Sequence, residues 1–406
     1  MDAVNDSSLH QTGTPSDMLS AQARRALLAN TFALVLAGGR GTRLEGLTAR
    51  RAKPAVPIAA RHRIIDFTLS NCLNSGLACV GVLTQYMAQS LAPHLAAWSR
   101  LSRAMELLTL PAGAGRAYAG TADAVHQNRD LIRRLAPAQV LVLAADHVYR
   151  MDYARMLDEH LQRRAQVTVG CVEVPVESAR SFGVMAIDDA GWIAGFAEKP
   201  DAPSAIPGRP AVALASMGIY VFETDFLLRL LRDDALRPHS ARDFGRNVIP
   251  DALAATTRAY AHRLRDVHFP SRDGYWRDVG TVDAYWQTSL ELCSDNPPWC
   301  LEDPQWPVHS LSIDRQEGSS VRADDDDGMA DVRHSVLFAG VRLGAGTRLD
   351  RCIALPGVQI EAGCRVRNAI IDEGCRLPPG TEIGIDPAAD RRRYPVTANG
   401  VVLVAR

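Results

Sequence analysis

The sequence predicts an α/β fold in two parts: a Rossmann-like, mostly parallel sheet with flanking helices, followed by a left-handed parallel β-helix. Between residues 31 and 294, short apolar runs rich in β-branched residues alternate with helical stretches, which is the pattern of a three-layer α/β sandwich. A glycine-rich turn follows the first of these runs. The C-terminal part carries a regular repeat of glycines and apolar residues, which is typical of stacked coils.

The sheet domain is predicted from four apolar runs that are expected to form its buried strands, namely 32–36, 80–84, 140–144 and 167–172. A fifth and a sixth run, 184–187 and 192–196, flank the turn sequence Asp188-Asp189-Ala190-Gly191 and predict a hairpin. A helix is expected over 121–135, with Thr121 as its N-cap and with Val125, Ile132 and Leu135 on one face.

The chain divides into four regions by composition. Residues 1–30 form a polar tail in which 18–29 can be helical, and 31–294 form the sheet domain. Residues 295–334 are a linker that opens with Asn296-Pro297-Pro298 and contains the acidic run 324–327. Residues 335–406 form the β-helix.

The repeat in the C-terminal region has a period of 17 residues. Its glycines are separated by 11, 6, 11 and 6 residues, and an apolar residue follows each glycine three positions later. Glycine supplies the turn, and the apolar residue points inward onto its counterpart in the next coil. A β-sandwich with glycine turns is the alternative, although its spacing would be less regular. The glycines are Gly346, Gly357, Gly363, Gly374 and Gly380, and the apolar residues are Leu349, Ile360, Val366, Leu377 and Ile383.

Composition excludes several classes of partner. The 406 residues include 45 basic and 46 acidic ones, a formal net charge of −1, which gives no support for binding to nucleic acid or to a membrane surface. No apolar run reaches the roughly 18 residues that a membrane span needs, and the polar start does not resemble a signal peptide. The eight cysteines form no CxxC pair and are expected to be reduced thiols. The sequence therefore predicts a cytoplasmic protein.

The chemistry-bearing segment is the turn after the first strand. It reads AGGRGTRL over 37–44 and lets backbone N–H groups approach phosphates. It is neither a Walker loop nor a dinucleotide fingerprint, because no Gly-Lys-Ser/Thr follows and Leu44 stands where the third glycine would be. A tight structural turn is an alternative. The loop is expected to bind a triphosphate rather than to be only a turn, because it contains the cations Arg40 and Arg43 and is followed by Lys53.

This segment is similar to the signature of nucleoside-diphosphate-sugar pyrophosphorylases, and further strings resemble the bacterial glucose-1-phosphate adenylyltransferases. The resemblance extends from residue 32 to residue 406 and includes the β-helix. The matching strings are LAGGRGTRL at 36–44, KP at 53–54, RIIDF at 63–67, NCLNSG at 71–76, GTADAV at 120–125, DHVY at 146–149, FGVM at 182–185, EKP at 198–200, SMGIYVF at 216–222 and YWRDVGT at 275–281.

The resemblance implies an enzyme that joins ATP and glucose 1-phosphate, with Mg²⁺, to give ADP-glucose and pyrophosphate. The implied catalytic residues are Arg43, Lys53, Asp146 and Lys199. Those for the nucleotide are Gly38, Gly39, Gly41, Thr42 and Gly120. Those for glucose 1-phosphate are Tyr118, Gly183, Glu198, Lys199 and Ser216. The metal ligands are Asp146 and Asp278.

Other interpretations of the acidic residues stay open at this level. Asp146 follows the run 140–144, and without the resemblance it would be predicted to be the N-cap of a following helix. Asp278 by itself reads as a surface residue that pairs with Arg277, and Glu198 with Lys199 reads as a solvated ion pair.

The resemblance also implies a homotetramer and allosteric control by phosphorylated metabolites or adenine nucleotides. The effector-binding cations would be Arg50, Arg51, Arg63 and Arg134. Many bacterial relatives carry a lysine in place of Arg50, and enteric relatives carry a histidine in place of Pro57 and an arginine in place of Glu373. We therefore expect effector responses that differ from the enteric pattern.

Three rival functions remain. A pyrophosphorylase for another base or sugar would share the mechanism, and a non-catalytic regulatory subunit would share the fold. A regulatory subunit is expected to lack catalytic residues that are present here. A β-helix acyltransferase needs a histidine on the coils, and 335–385 has none.

Overall fold

The computed structural model describes residues 20–101, 104–113, 116–310 and 330–405. The start of the predicted tail and the acidic run 324–327 lie outside these residues. Within them, the first part of the chain folds around a ten-stranded sheet and the C-terminal part forms a parallel β-helix, so the predicted fold class is confirmed.

The strands of the first part are β1 Thr31–Ala37, β2 Pro57–Ile58, β3 His62–Arg63, β4 Cys79–Thr84, β5 Glu106–Pro111, β6 Gln139–Ala144, β7 His147–Tyr149, β8 Val167–Pro175, β9 Gly183–Ile187, β10 Ile193–Glu198, β11 Ala205–Ile206, β12 Arg209–Glu223, β13 Ala259–Arg263 and β14 Trp276–Asp278. Its helices are α1 Ala21–Ala29, α2 Ile64–Asn74, α3 Ala92–Leu101, α4 Thr121–Gln127, α5 Arg129–Leu135, α6 Tyr153–Gln162, α7 Thr224–Leu236, α8 Ile249–Ala255 and α9 Val282–Leu292.

The centre of the sheet is β1, which pairs in parallel with β4 on one side and with β6 on the other. Ala33 and Val35 pack in one apolar cluster, and Phe32 and Leu34 pack in another. Because successive side chains point to opposite faces, a continuous apolar run such as this one is buried on both faces. β5 extends the parallel part beyond β4.

The other half of the sheet is mostly antiparallel. The long strand β12 runs antiparallel to β6, β8 and β9, while β8 also pairs in parallel with β13. The predicted run 167–172 is therefore a strand, but its pairing is mixed. The predicted hairpin is confirmed, because β9 and β10 pair antiparallel around Asp188–Gly191.

The helix predicted over 121–135 is wrong in detail. It is divided at Asn128, whose side-chain amide donates to the carbonyl of Ala124 at 2.8 Å and so competes with helical hydrogen bonding. Thr121 is not the N-cap: Gly120 occupies that position, and the Thr121 hydroxyl donates to Asp243 at 3.0 Å. Val125 and Ile132 are buried as predicted, but Leu135 is 44% exposed.

Two segments assigned to the tail and the linker pack on the sheet domain. Leu27 and Leu28 of α1 are buried, and Arg24 forms an ion pair with Asp152 at 2.9 Å. In the described part of the linker, Trp299 is buried and Trp306 Nε1 donates to Asn71 at 3.0 Å.

The second part is a stack of coils with three parallel sheets and a period of 17 residues. Leu349, Val366 and Ile383 pair in successive coils, and the inward residues predicted from the repeat are at most 2% exposed. The five repeat glycines all adopt positive φ at the turns. The strands are β15 Ala330–Arg333, β16 Val336–Leu337, β17 Arg342–Leu343, β18 Thr347–Asp350, β19 Ile353–Ala354, β20 Gln359–Ile360, β21 Arg365–Arg367, β22 Ala369–Ile371, β23 Arg376–Leu377, β24 Glu382–Ile383 and β25 Val402–Val404, with helix α10 Pro387–Arg393 before the last strand.

Over the described ranges, no helix has the length and apolar character that crossing a membrane would require.

Candidate active site

A cleft with a volume of about 580 Å³ opens at the carboxyl ends of β1, β4 and β6. In open α/β sheets, ligands bind at this edge, where neighbouring connections leave in opposite directions. The cleft is lined by all the residues assigned from the sequence to nucleotide, sugar phosphate, metal and catalysis: Gly38, Gly39, Gly41, Thr42, Arg43, Lys53, Tyr118, Gly120, Asp146, Gly183, Glu198, Lys199, Ser216 and Asp278.

The glycine loop forms one wall of the cleft. Gly41 adopts a left-handed conformation with φ of 65° and ψ of 36°, which non-glycine residues rarely take. A Cβ atom there would also lie 2.8 Å from Cβ of Lys53. Glycine is therefore required for the loop to turn back onto Lys53. Beyond it, residues Thr42–Thr48 form short 3₁₀ turns that carry Arg43, whose side chain is 64% exposed.

The centre of the cleft is a cation held between two carboxylates. Lys53 is 4% exposed, and its Nζ lies 3.0 Å from Asp146 Oδ2 and 3.4 Å from Asp278 Oδ1. Asp146 ends the turn after β6, and Asp278 ends β14. The antiparallel pairing of β7 with β14 sets His147 opposite Asp278, which brings the two carboxylates together.

The electrostatics of this cluster favour an ionised Asp146. Burial alone would raise the pKa of Asp146, but attraction to Lys53 and His147 outweighs it, and the pKa is held well below its usual range. His147 Nε2 lies 3.5 Å from Asp146 Oδ1 and 4.0 Å from Asp278 Oδ1. Arg43 adds a more distant cation, 3.9 Å from Asp278 Oδ2.

The alternative interpretations of the two acids do not hold. Asp146 is followed by the strand β7 rather than by a helix, so it is not an N-cap. Arg277 pairs with Glu291 at 3.3 Å, and Asp278 faces Lys53 instead.

The opposite end of the cleft combines a carboxylate, a cation and a buried hydroxyl. Glu198 ends β10 and lies 3.5 Å from Lys199 Nζ, while Lys199 itself has a positive φ of 49° and is 55% exposed. Ser216 is buried, and its hydroxyl accepts from the N–H of Gly218 at 3.2 Å. A flexible cation beside a carboxylate and a fixed hydroxyl suits a ligand with both phosphate and hydroxyl groups.

Tyr118 reaches the cleft on a loop that Gln85 holds in place. The Gln85 side chain accepts from the N–H of Tyr118 at 2.5 Å and donates to its carbonyl at 3.3 Å. Burial raises the pKa of Tyr118, and its hydroxyl donates to the carbonyl of Leu110 at 3.2 Å.

The cleft also contains residues for which no role was predicted. Gln85 lies after β4, and Asp243 lies before a single π-helical turn, Phe244–Val248. Their positions depend on contacts between distant segments, such as the bond from Thr121 to Asp243, which no local pattern reveals. Trp276 lies within a matching string, and its indole packs edge-on against His147 at 5.0 Å. Tyr220 and Phe244 stack at 5.5 Å behind Ser216.

The four arginines assigned to effector binding do not line this cleft. Arg50 and Arg134 are exposed, whereas Arg51 is buried and forms ion pairs with Asp372 and Glu373 of the β-helix. Arg63 donates to the carbonyl of Ala55 at 2.5 Å. The structure thus brings Arg51 to the boundary between the two parts of the chain.

Fold and cleft together define a nucleotidyl transferase. The family model described as nucleotidyl transferase matches residues 32–295, and the model described as GlmU-like C-terminal hexapeptide matches residues 327–404. Glucose-1-phosphate adenylyltransferase of Nitrosomonas europaea is 44% identical over 93% of this chain and 93% of its own length. Glucose-1-phosphate adenylyltransferase 2 of Alkalilimnicola ehrlichii is 47% identical over 93% of this chain and 94% of its own length. The glucose-1-phosphate adenylyltransferase of Methylococcus capsulatus is 45% identical, also over 93% of this chain and 94% of its own length.

The chain belongs to the family of glucose-1-phosphate adenylyltransferases. Nucleotidyl transferases of this kind generally use a divalent metal ion. In the described residues no group of three or more His, Cys, Asp or Glu side chains is arranged to hold a metal. Two converging carboxylates are nevertheless sufficient for an ion that takes its other ligands from phosphate and water.

Proposed function

We propose that this chain transfers the adenylyl group of ATP to glucose 1-phosphate, giving ADP-glucose and pyrophosphate. The observation that carries the proposal is the convergence, in one cleft, of a glycine loop, the cluster of Lys53 with Asp146 and Asp278, and the pair Glu198 and Lys199. The identity of 43–47% to curated enzymes of this name supports the choice of ATP and of glucose 1-phosphate. ADP-glucose then serves as the glucosyl donor for glycogen or another α-glucan.

The reaction requires alignment and charge neutralisation rather than a covalent intermediate. A phosphate oxygen of glucose 1-phosphate forms a bond to the α-phosphorus of ATP. The bond from that phosphorus to the oxygen bridging to the β-phosphorus breaks, and the electron pair leaves with pyrophosphate. The attacking oxygen is already ionised, so no general base is needed.

We propose a task for each side chain that lines the cleft. Arg43 and Lys53, at the glycine loop, neutralise the leaving pyrophosphate, and the loop backbone at Gly38, Gly39 and Gly41, with Thr42 and Gly120, holds the nucleotide. Lys199 binds the phosphate of the sugar and directs its oxygen toward the α-phosphorus. Sugar hydroxyls and the remaining phosphate oxygens are bound by Tyr118, Gly183, Glu198 and Ser216.

Mg²⁺ is the metal that this donor set fits best. Asp146 and Asp278 would hold it, because hard carboxylate oxygens and a protein that supplies only two of them suit an ion that also binds substrate phosphates. When bound, Mg²⁺ neutralises charge that develops on the phosphate oxygens. In the described structure Lys53 Nζ contacts both carboxylates, at 3.0 Å from Asp146 Oδ2 and 3.4 Å from Asp278 Oδ1.

We further propose a cytoplasmic homotetramer in which the β-helix, whose first described strand is β15 Ala330–Arg333, contributes subunit contacts. Phosphorylated metabolites or adenine nucleotides would act as effectors through Arg50, Arg51, Arg63 and Arg134. Titration of activity with fructose 1,6-bisphosphate and AMP tests this: strong enteric-like responses to both would contradict the departure expected from Arg50, Pro57 and Glu373.

The direct test is pyrophosphate release from the purified protein with glucose 1-phosphate and Mg²⁺, with ATP, UTP, dTTP and GTP compared side by side. We expect release with ATP, and a loss of about 10²–10³-fold in kcat for Asp146→Asn, which removes a charge aligned with the reacting phosphates. Asp273→Asn is the control, because that carboxylate is 68% exposed and pairs with Arg265 outside the cleft. Release with another nucleotide would overturn the named substrate, and no release with any of them would overturn the activity.

A further inference from the structure

The segment 42–53, called here the bridging segment, links the cleft to the β-helix. Arg43 near one end and Lys53 at the other line the cleft. Between them, Leu44 and Leu47 are fully buried in an apolar cluster that also contains Ile370 and Leu403 of the β-helix. The back of the segment that carries two cleft cations is therefore packed on the other part of the chain.

The packing at the centre of the bridging segment leaves no free space. A Cβ atom on Gly46 would lie 2.5 Å from Cβ of Ala405, just after β25. The neighbouring Glu45 has φ of 50° and ψ of −123°, a conformation that is unfavourable for a residue with a side chain. Such backbone strain persists only where surrounding contacts hold it.

An ion pair between the two parts of the chain fixes the far end of the segment. Arg51 Nη1 lies 2.9 Å from Asp372 Oδ1, and Nη2 lies 3.1 Å from Glu373 Oε2. The side chains of Arg51 and Asp372 are 10% and 5% exposed, while that of Glu373 is 51% exposed. Breaking a buried ion pair costs more free energy than breaking an exposed one. The contact of Arg51 with Asp372 is therefore expected to contribute more than its contact with Glu373. Arg51 is two residues from Lys53.

We propose that Asp372 is a positioning residue for the nucleotide: through Arg51 it holds the bridging segment, with Arg43 and Lys53, in the arrangement that receives ATP. The inference rests on the proposed function for the identity of the ligand. Without the pair, the segment populates the receptive arrangement for only a fraction of the time, and the apparent dissociation constant for ATP rises by the inverse of that fraction. Bound ATP restores the arrangement, so turnover at saturation is preserved.

The test is Asp372→Asn in the full chain. We expect the ATP dissociation constant and the KM for ATP to rise about tenfold, which corresponds to about 1.4 kcal/mol, less than the full effect of breaking a buried pair because the amide keeps the shape and a hydrogen bond. The KM for glucose 1-phosphate and kcat should change by less than about twofold. Amide hydrogen exchange in 42–53 should accelerate without ATP and return to the wild-type rate with saturating ATP.

Two further variants separate positioning from general destabilisation. Asp152→Asn weakens a more exposed pair, with Arg24, that joins α1 to α6 (side chains 34% and 10% exposed), and it should leave ATP binding and exchange in 42–53 unchanged. Glu373→Gln should raise the ATP dissociation constant by less than about threefold, because exposed pairs contribute little. If Asp372→Asn does not fold, Arg51→Lys replaces it, since lysine keeps the charge but loses the two-pronged contact.

Two results would overturn the positioning role of Asp372. Wild-type exchange and ATP affinity in Asp372→Asn would overturn the proposal, and so would equal losses in kcat and in both KM values. The exchange and ATP-binding measurements need no turnover, so they decide the inference even if the wild-type protein fails to release pyrophosphate. That failure would count against the proposed function alone.

Discussion

A buried histidine in β3 is expected to make the stability of the protein sensitive to acid. His62 in β3 is 1% exposed and packs against the ring of Phe67 at a centroid distance of 5.9 Å. In the described structure neither ring nitrogen has a hydrogen-bond partner. Burial lowers the pKa of His62 to about 4, against the attraction of Asp66 and together with the repulsion from Arg61. The native state therefore keeps this ring neutral.

The magnitude follows from linkage between protonation and folding. In the unfolded chain, histidine has a pKa of about 6.5 and takes up a proton below that value, while native His62 does so only near pH 4. The unfolded state binds more protons within this window, so stability falls as the pH drops from 6.5 to 4. At about 1.4 kcal/mol per pH unit, lowering the pH from 7.5 to 5.0 removes about 2 kcal/mol through His62.

The perturbation is His62→Leu, which removes the titrating group and the two unpartnered nitrogens. Urea unfolding of both proteins, followed by tryptophan fluorescence at pH 7.5 and 5.0, should show a loss on acidification that is about 2 kcal/mol smaller in the variant. Other titrating groups, including His160 with its pKa also lowered to about 4 by burial, are present in both proteins and cancel. Equal losses in the two proteins would refute the reasoning, as would an NMR titration that places the pKa of His62 near 6.5.

Two further substitutions test the cleft. Gly41→Ala should reduce kcat/KM for ATP at least tenfold, because the left-handed backbone costs about 1–2 kcal/mol with a side chain and the new Cβ collides with Lys53; Gly208→Ala, which has φ of 74° and no neighbour within 4 Å, isolates the backbone effect. Lys199→Gln should raise the KM for glucose 1-phosphate about tenfold to hundredfold through loss of a charged hydrogen bond, with little change in the KM for ATP. Steady-state kinetics with each substrate varied would measure both effects, and a rise confined to the KM for ATP in Lys199→Gln would contradict the assignment.

The parts of the fold that the sequence predicts well are those governed by local periodicity. The glycine repeat places Leu349, Val366 and Ile383 in register because each coil repeats the same turn and the same inward position. The parallel strands around β1 are predictable for a similar reason, since a strand buried on both faces needs a continuous apolar run. The antiparallel pairing of β8 with β12 is not, because apolar content does not specify direction.

The candidate site also has a part that the sequence predicts and a part that depends on contacts between distant segments. The glycine loop with Arg43 and Lys53 is local in sequence, so the order of residues along the chain is enough to infer its role. Asp278 lies within a matching string, but its approach to Asp146 depends on the pairing of β7 with β14, two strands far apart in the chain. The helix break at Asn128 is more local, but it depends on side-chain bonds that periodicity does not reveal, because the Asn128 amide donates both to the carbonyl of Ala124 and to the hydroxyl of Tyr118 at 3.3 Å.

Charged residues at the boundary between the two parts of the chain bear on both the cleft and effector binding. The resemblance implies that enteric relatives carry an arginine at the position of Glu373, and the reversed charge is expected to weaken the binding of a phosphate. The structure adds a partner for that charge, because Glu373 and Asp372 neutralise Arg51 within the protein. An anionic effector that used Arg51 would have to displace a buried carboxylate first, and the energy for that exchange would be subtracted from its affinity. If Asp372 already holds the bridging segment in its receptive arrangement, binding of such an effector would improve that arrangement little. We therefore expect high activity without effectors and weak activation, both for this one physical reason.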